Sequence, residues 1–149
     1  MSETRAGKYM VTVPIREVAA KATYTGRTRP TLTYMSNKQF PGCNVYVEFA
    51  WIYEMPEPRA LVPTIHAHDY DQIALNIGSD PHNPEYLGAE IESYIGGEKY
   101  TCDKTAAFYL PKGIPHGQVT WKKFEKPHIQ LSIMLGTGDF EKANPGGRS

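Results

Sequence analysis

Between residues 43 and 54 the chain alternates strictly, with Val45, Val47, Phe49, Trp51 and Tyr53 on one side and Asn44, Tyr46, Glu48, Ala50, Ile52 and Glu54 on the other. A period of two places successive side chains on opposite faces of a strand. The pattern therefore predicts a long strand whose Val/Phe/Trp face turns toward a core. Further runs rich in β-branched and aromatic residues predict strands at 9–15, 31–34, 65–68, 72–77, 89–95, 99–102, 105–110, 118–124 and 128–135. Turn residues separate them: Gly78-Ser79-Asp80-Pro81 opens a longer loop to Gly88, and Gly96-Gly97 and Pro111-Lys112-Gly113 read as tight turns. Only residues 16–22 read as helical, and no internal repeat is present. Many short strands joined by Gly and Pro turns are how an all-β sandwich or barrel is written.

The length of 149 residues fits one domain with a core of its own, spanning 1–149, and the polar ends 1–8 and 136–149 read as frayed termini with little function. Sixteen Lys and Arg balance sixteen Asp and Glu, so no overall basic field exists to hold a phosphate backbone, and nucleic acid is excluded as the expected partner. Cys43 and Cys102 stand far apart without metal-knuckle spacing and read as free thiols. No apolar run approaches the roughly 20 residues a bilayer requires, and the N-terminal region has no signal-peptide core. The expectation is a soluble, cytoplasmic protein without a membrane partner.

Chemistry concentrates first at Ile65-His66-Ala67-His68, where two histidines at i and i+2 of an extended segment face the same side and can chelate one ion. The alternative for this motif alone is a pair of half-exposed strand histidines. Gln72 and Gly78 follow, and some forty residues later comes Pro111-Lys112-Gly113-Ile114-Pro115-His116-Gly117. These segments resemble the two motifs of the cupin superfamily: two histidines one residue apart followed by a glutamate and a glycine, then Pro-x-Gly-x-x-His in a turn between strands. The resemblance covers about half the chain, residues 65–135. It implies an all-β, cupin-type double-stranded β-helix, or jelly-roll barrel, with its core at about 43–135. It also implies one divalent metal ion (zinc, iron, nickel or manganese) held by His66, His68 and His116. Independently, Pro111 and Gly113 build a tight turn that can deliver His116 to a strand facing the other pair.

The usual glutamate is here Gln72, either a neutral ligand through its Oε or a partner of a metal-bound water, with the ion then held by three histidines. Asp71 competes with it only if a bulge shifts the register. Thr120 stands where the second motif commonly has an asparagine. Glu90 and Glu92 share a strand face that the resemblance places near the barrel interior, as acid or base groups, with a solvated outer face as the alternative. Tyr70, beside His68, is a candidate to orient a substrate. His128 reads as a surface or satisfied core histidine, with a pocket role as the alternative, and His82 as exposed loop.

Four functional readings follow. The first is a metal-dependent enzyme using Lewis-acid chemistry on a small oxygen-rich, carboxylate-bearing substrate, of isomerase, lyase or ring-opening type. The others are an iron-dependent dioxygenase, a non-catalytic small-molecule binding barrel, and a barrel retained as scaffold, against which the intact histidine set argues. A homodimer is expected, because the β-rich segment 9–53 offers an edge to cover.

Overall fold

A computed structural model describes residues 5–16 and 24–139. Apart from one 3₁₀ turn at Arg5–Tyr9, every regular element among them is a strand. In chain order these are β1 (Ile15–Arg16), β2 (Thr25–Arg27), β3 (Leu32–Met35), β4 (Val45–Glu57), β5 (Ala60–His66), β6 (Asp71–Gly78), β7 (Tyr86–Ile95), β8 (Glu98–Lys104), β9 (Ala106–Leu110), β10 (His116–Phe124) and β11 (His128–Leu135). The strand expected at 9–15 is absent save for Ile15. Pro14 removes a ladder donor there, and the 3₁₀ turn takes up Tyr9. Of the expected helix at 16–22, Arg16 lies in β1 and the remainder falls outside the described residues. Residues 136–139 are not frayed: Thr137 and Gly138 are buried, and the Gly138 carbonyl accepts the Asn37 N–H at 2.7 Å.

All pairings are antiparallel. One sheet runs β1-β3-β4-β11-β6-β9, with β2 also on β4, and the other runs β5-β10-β7-β8. The first sheet takes its strands from both ends of the chain. This interleaving is what a double-stranded jelly roll requires, since consecutive strands must cross between sheets instead of forming a simple meander.

The register of β4, β11 and β6 defines rungs that face the second sheet. Tyr46, Met134, Gln72 and Leu110 form the first, and Thr33, Glu48, Ser132 and Ala74 the second. Ala50, Gln130 and Asn76 form the third, and Ile52, His128 and Gly78 the fourth. The inward direction is fixed by Tyr46, Glu48, Ala50, Ile52, His128 and Met134, all nearly inaccessible to solvent. The alternation of residues 43–54 is therefore real but inverted relative to expectation. The Val/Phe/Trp face points outward, leaving Trp51 39% and Tyr53 50% exposed. Periodicity distinguishes two faces, but which one turns inward depends on what the opposing sheet presents. Here that is partly polar.

At the far end, Ile52, Leu61, Leu87, Ala89, Ile91 and Trp121 close the space between the sheets with an apolar plug. At the other end, Tyr46, Tyr70 and Met134 form a second buried cluster. The histidine motifs lie beside this second cluster.

Candidate metal centre

His66 ends β5 and His116 begins β10, and the two are directly paired across the four-stranded sheet, with Ile95 of β7 on the other side of His116. His68 lies two residues beyond β5 and returns to the same side. The ring centroids of His66, His68 and His116 are separated by 4.8, 4.6 and 5.0 Å. Their candidate ligand atoms all lie within 4.8 Å of one another. Ligands at about 2.1 Å on a tetrahedral ion sit roughly 3.4 Å apart, so small ring adjustments suffice to close the set.

Two imidazoles are oriented by their own backbone. His66 Nδ1 lies 3.1 Å from the Thr64 carbonyl and His116 Nδ1 lies 3.0 Å from the Ile114 carbonyl. A carbonyl only accepts, so each Nδ1 carries the proton and each neutral ring presents an Nε2 lone pair, the arrangement that fixes a metal-binding tautomer. Burial pushes His116 below its ordinary imidazole value; the Ile114 carbonyl opposes this and the neighbouring His66 adds to it. The ring is thus kept neutral and available to bind.

The turn between β9 and β10 is fastened to the first motif. The Gly113 N–H donates to the His68 carbonyl at 2.8 Å, and the Lys112 N–H donates to Asp71 Oδ1 at 2.7 Å. Asp71 Oδ2 also accepts the Tyr109 hydroxyl at 2.6 Å. The Tyr109 hydroxyl and then the Lys112 N–H hold the Asp71 carboxyl below the usual range. No bulge shifts the register at β6: Asp71 pairs with Leu135 on the outward face, while Gln72 faces inward. Asp71 is thus a brace on the turn that delivers His116. Just beyond, Gly117 adopts φ +138°, and an added Cβ would overlap the Thr64 carbonyl oxygen. Gln118 follows with φ 49°, and the register of β10 slips against both neighbours there. This bulge aims His116 inward while letting the rest of β10 run on.

Gln72 comes from the opposite sheet, is 8% exposed, and donates from Nε2 to Ser132 Oγ at 3.4 Å. Its Oε1 is buried without a hydrogen-bond partner among the described residues. A buried amide oxygen left over in this way needs a donor or a cation. Three convergent histidines, two with tautomers already fixed, could hold a metal ion. Tyr70 stacks on His68 at 4.7 Å and 10° and packs with Tyr46 and Met134, linking the histidines to the Gln72 rung.

The structure does not bring Glu90 and Glu92 to the histidines. In β7 they alternate with buried Ala89 and Ile91, and Ile95, which shares a rung with His116, lies on that buried side. Glu92 pairs with Lys99 at 3.6 Å and Lys122 at 3.8 Å, and Glu90 with Lys123 at 3.6 Å, an outer face of ion pairs. Thr120 is the partner of Glu92 and belongs to that region as well. His82 is exposed in its loop. His128 is a satisfied core histidine: its Nδ1 donates to the Lys126 carbonyl at 3.0 Å and its Nε2 accepts the Trp121 indole N–H at 3.0 Å. The same backbone device that readies His66 and His116 for a metal is here consumed by an indole.

Sequence reasoning missed the inward polar positions Glu48, Ser132, Gln130 and Asn76. Their alternation within each strand was visible, but which strand stands beside which was not.

No protein-family model matches the chain, and no curated protein matches it. Among solved structures, KdgF from a Halomonas species is 17% identical with TM-score 0.45, covering 81% of this chain and 93% of that one. An RmlC-like cupin from Shewanella frigidimarina is 13% identical with TM-score 0.47, covering 82% and 85%. A cupin-2 domain from Rhodospirillum rubrum is 10% identical with TM-score 0.49, covering 85% and 70%. By its own strand order the chain folds as a two-sheet, double-stranded antiparallel barrel in which the two histidine motifs meet; two of these solved structures are described as cupins.

Proposed function

We propose that this chain is a metal-dependent cupin enzyme holding one divalent ion on His66, His68 and His116, with the Gln72 amide oxygen as a fourth donor. Its substrate is a small, oxygen-rich carboxylate, and its reaction is of the isomerase, lyase or ring-opening type. The observation that carries the reading is the convergence of three imidazoles, two of them with Nδ1 protons tied to their own backbone. When bound, the ion supplies Lewis-acid polarisation of a substrate oxygen. All four donors are neutral, so the positive charge of the site is left for an anionic substrate to balance. The chain's own residues do the rest. Asp71 and the Gly113 N–H hold the turn that presents His116, Tyr70 positions the His68 ring and is the candidate to orient a substrate beside it, and the apolar plug excludes water from the far end.

We further propose that the chain acts as one domain and pairs with a second copy through the outward face of the seven-stranded sheet. Phe49, Trp51, Leu75, Ile77, Leu131 and Ile133 share that face. The three long strands β4, β11 and β6, at about 4.8 Å spacing and about eight paired residues long, make a central patch of roughly 14 by 27 Å that the shorter β3 and β9 extend at its edges.

Elemental analysis of protein purified without added metal tests the central reading. About one ion per chain is expected, with most of it lost in both His66→Ala and His116→Ala. Unchanged metal content in both variants would remove the assignment, and iron in the parent would move the chemistry to oxygen-dependent reactions.

A further inference from the structure

The outward face of the seven-stranded sheet runs up to the turn that presents His116. Its rungs are apolar: Val47, Ile133, Ile73 and Tyr109 share one, Phe49, Leu131, Leu75 and Ala107 the next, and Trp51, Ile129 and Ile77 the third. Beyond the first of these stand Val45, Leu135 and Asp71. Asp71 is thus the one charged residue on the outward positions of β6, of β11 and of β4 as far as Trp51, and it lies at the rim of the apolar face.

Tyr109, 57% exposed, is where that face and the histidine motifs meet. Its hydroxyl donates to Asp71 Oδ2 at 2.6 Å, while Asp71 Oδ1 accepts the Lys112 N–H at 2.7 Å. Pro111, Lys112 and Gly113 are exposed, and nothing lies within 4 Å of where a Cβ on Gly113 would stand. Hydrogen bonds therefore hold this turn more than packing does. Besides the bond to Asp71, the Gly113 N–H donates to the His68 carbonyl at 2.8 Å, and the Pro115 carbonyl accepts the Gly96 N–H at 2.8 Å. A phenol–carboxylate bond open to water is weakened by competition and strengthens when water is shut out.

We propose that a second copy, docked on this outward face, covers Tyr109 and so secures the turn that presents His116, making dimer formation and metal binding strengthen each other. The inference rests on the pairing and metal readings given above and adds the link between them. A second copy is the occupant because the face is uncharged over three rungs and self-complementary: under a two-fold axis its apolar rungs meet apolar rungs of the same sheet. The central part of the face, roughly 14 by 27 Å or about 400 Å², is of the size that marks an interaction site. Because Asp71 already accepts two hydrogen bonds, covering its rim does not strand a charge. The coupling is reciprocal, so whatever factor the dimer adds to metal affinity, each bound ion adds to dimer affinity.

The test starts from protein freed of metal and measures zinc affinity by chelator competition, and mass by sedimentation, over a range of protein concentrations. From the monomeric to the dimeric range, zinc affinity is expected to rise at least about five-fold, and saturating zinc should lower the dimer dissociation constant by that factor for each ion bound. Trp51→Lys, two rungs from Tyr109, should keep the chain monomeric and bind zinc at the weaker affinity at every concentration. Should it not fold, Leu131→Lys takes its place. Where the parent stays dimeric at every usable concentration, the monomeric variant against the parent carries the comparison. Tyr109→Phe keeps the ring on the face without the hydroxyl, so it should dimerise while its zinc affinity no longer follows concentration. A dimer that binds zinc no more tightly than the monomer, or a Tyr109→Phe dimer coupled as strongly as the parent, overturns the inference and leaves both earlier readings in place. A chain that is monomeric throughout removes the pairing reading, one that takes up no zinc removes the metal reading, and either result overturns the link as well.

Discussion

His128 offers a direct measure of how the apolar end of the barrel is held. It is fully buried, and both ring nitrogens are committed, Nδ1 to the Lys126 carbonyl and Nε2 to the Trp121 indole N–H. A second ring proton would set two donors against each other at Nε2. Burial pushes the group below its ordinary value of 6.5, with the Lys126 carbonyl opposing the shift. The unfolded chain therefore binds a proton that the folded chain refuses. With a depressed histidine value the folded state is favoured fully above about pH 6.5, and this contribution is lost as pH falls toward the folded value. If the folded ring stays neutral throughout, lowering the pH from 7.0 to 5.5 costs up to about 1.2 kcal/mol through His128 alone. At a typical urea slope of about 2 kcal/mol/M this moves the unfolding midpoint by up to about 0.6 M. Urea denaturation of metal-free parent and His128→Gln at both pH values isolates the term, since the other histidines titrate alike in both. Glutamine retains an acceptor for the indole but does not titrate. The variant should begin less stable and lose less stability than the parent between the two pH values, by up to about 1.2 kcal/mol. Equal losses in both proteins would refute the reasoning.

Asp71→Ala removes the acceptor for the Lys112 N–H and the Tyr109 hydroxyl; metal affinity measured by chelator competition should fall roughly 10-fold, with Asp71→Asn recovering most of it. An unchanged affinity would mean that the turn holds itself. Gln72→Glu should retain metal at least as well as the parent but bind acetate or oxalate more weakly by calorimetry, because it adds a negative charge among neutral donors. Gly117→Ala should destabilise the fold by at least about 2 kcal/mol in the same urea assay, since a side chain there overlaps the Thr64 carbonyl at an unfavourable φ. Light scattering of the purified protein should give the mass of two chains, and Trp51→Lys on the outward face should shift it toward one.

Alternation and turn residues alone located eight of the eleven strands among the described residues to within three residues and touched β5 only at Ile65 and His66, because a two-residue period and Gly or Pro breaks are local properties. They missed β2, only three residues long, and misread 9–15, where apolar composition mattered less than Pro14 and the 3₁₀ turn beside it. The histidine cluster was legible because each motif carries its geometry in a few neighbouring residues: His66 and His68 by their spacing, and His116 by the turn before it. What the sequence could not decide was which groups meet across the sheets. Glu90 and Glu92 share a face, as expected, but β10 supplies Lys122 and Lys123 to the outside of that strand, so they form ion pairs there. Glu48 looked like the solvent side of an amphipathic strand, and Gln130 and Asn76 had no visible connection to it. Burial is a property of the pair of surfaces that meet, and only the register of β4, β11 and β6 against the second sheet turned the apolar face outward and gathered the polar residues behind the histidines.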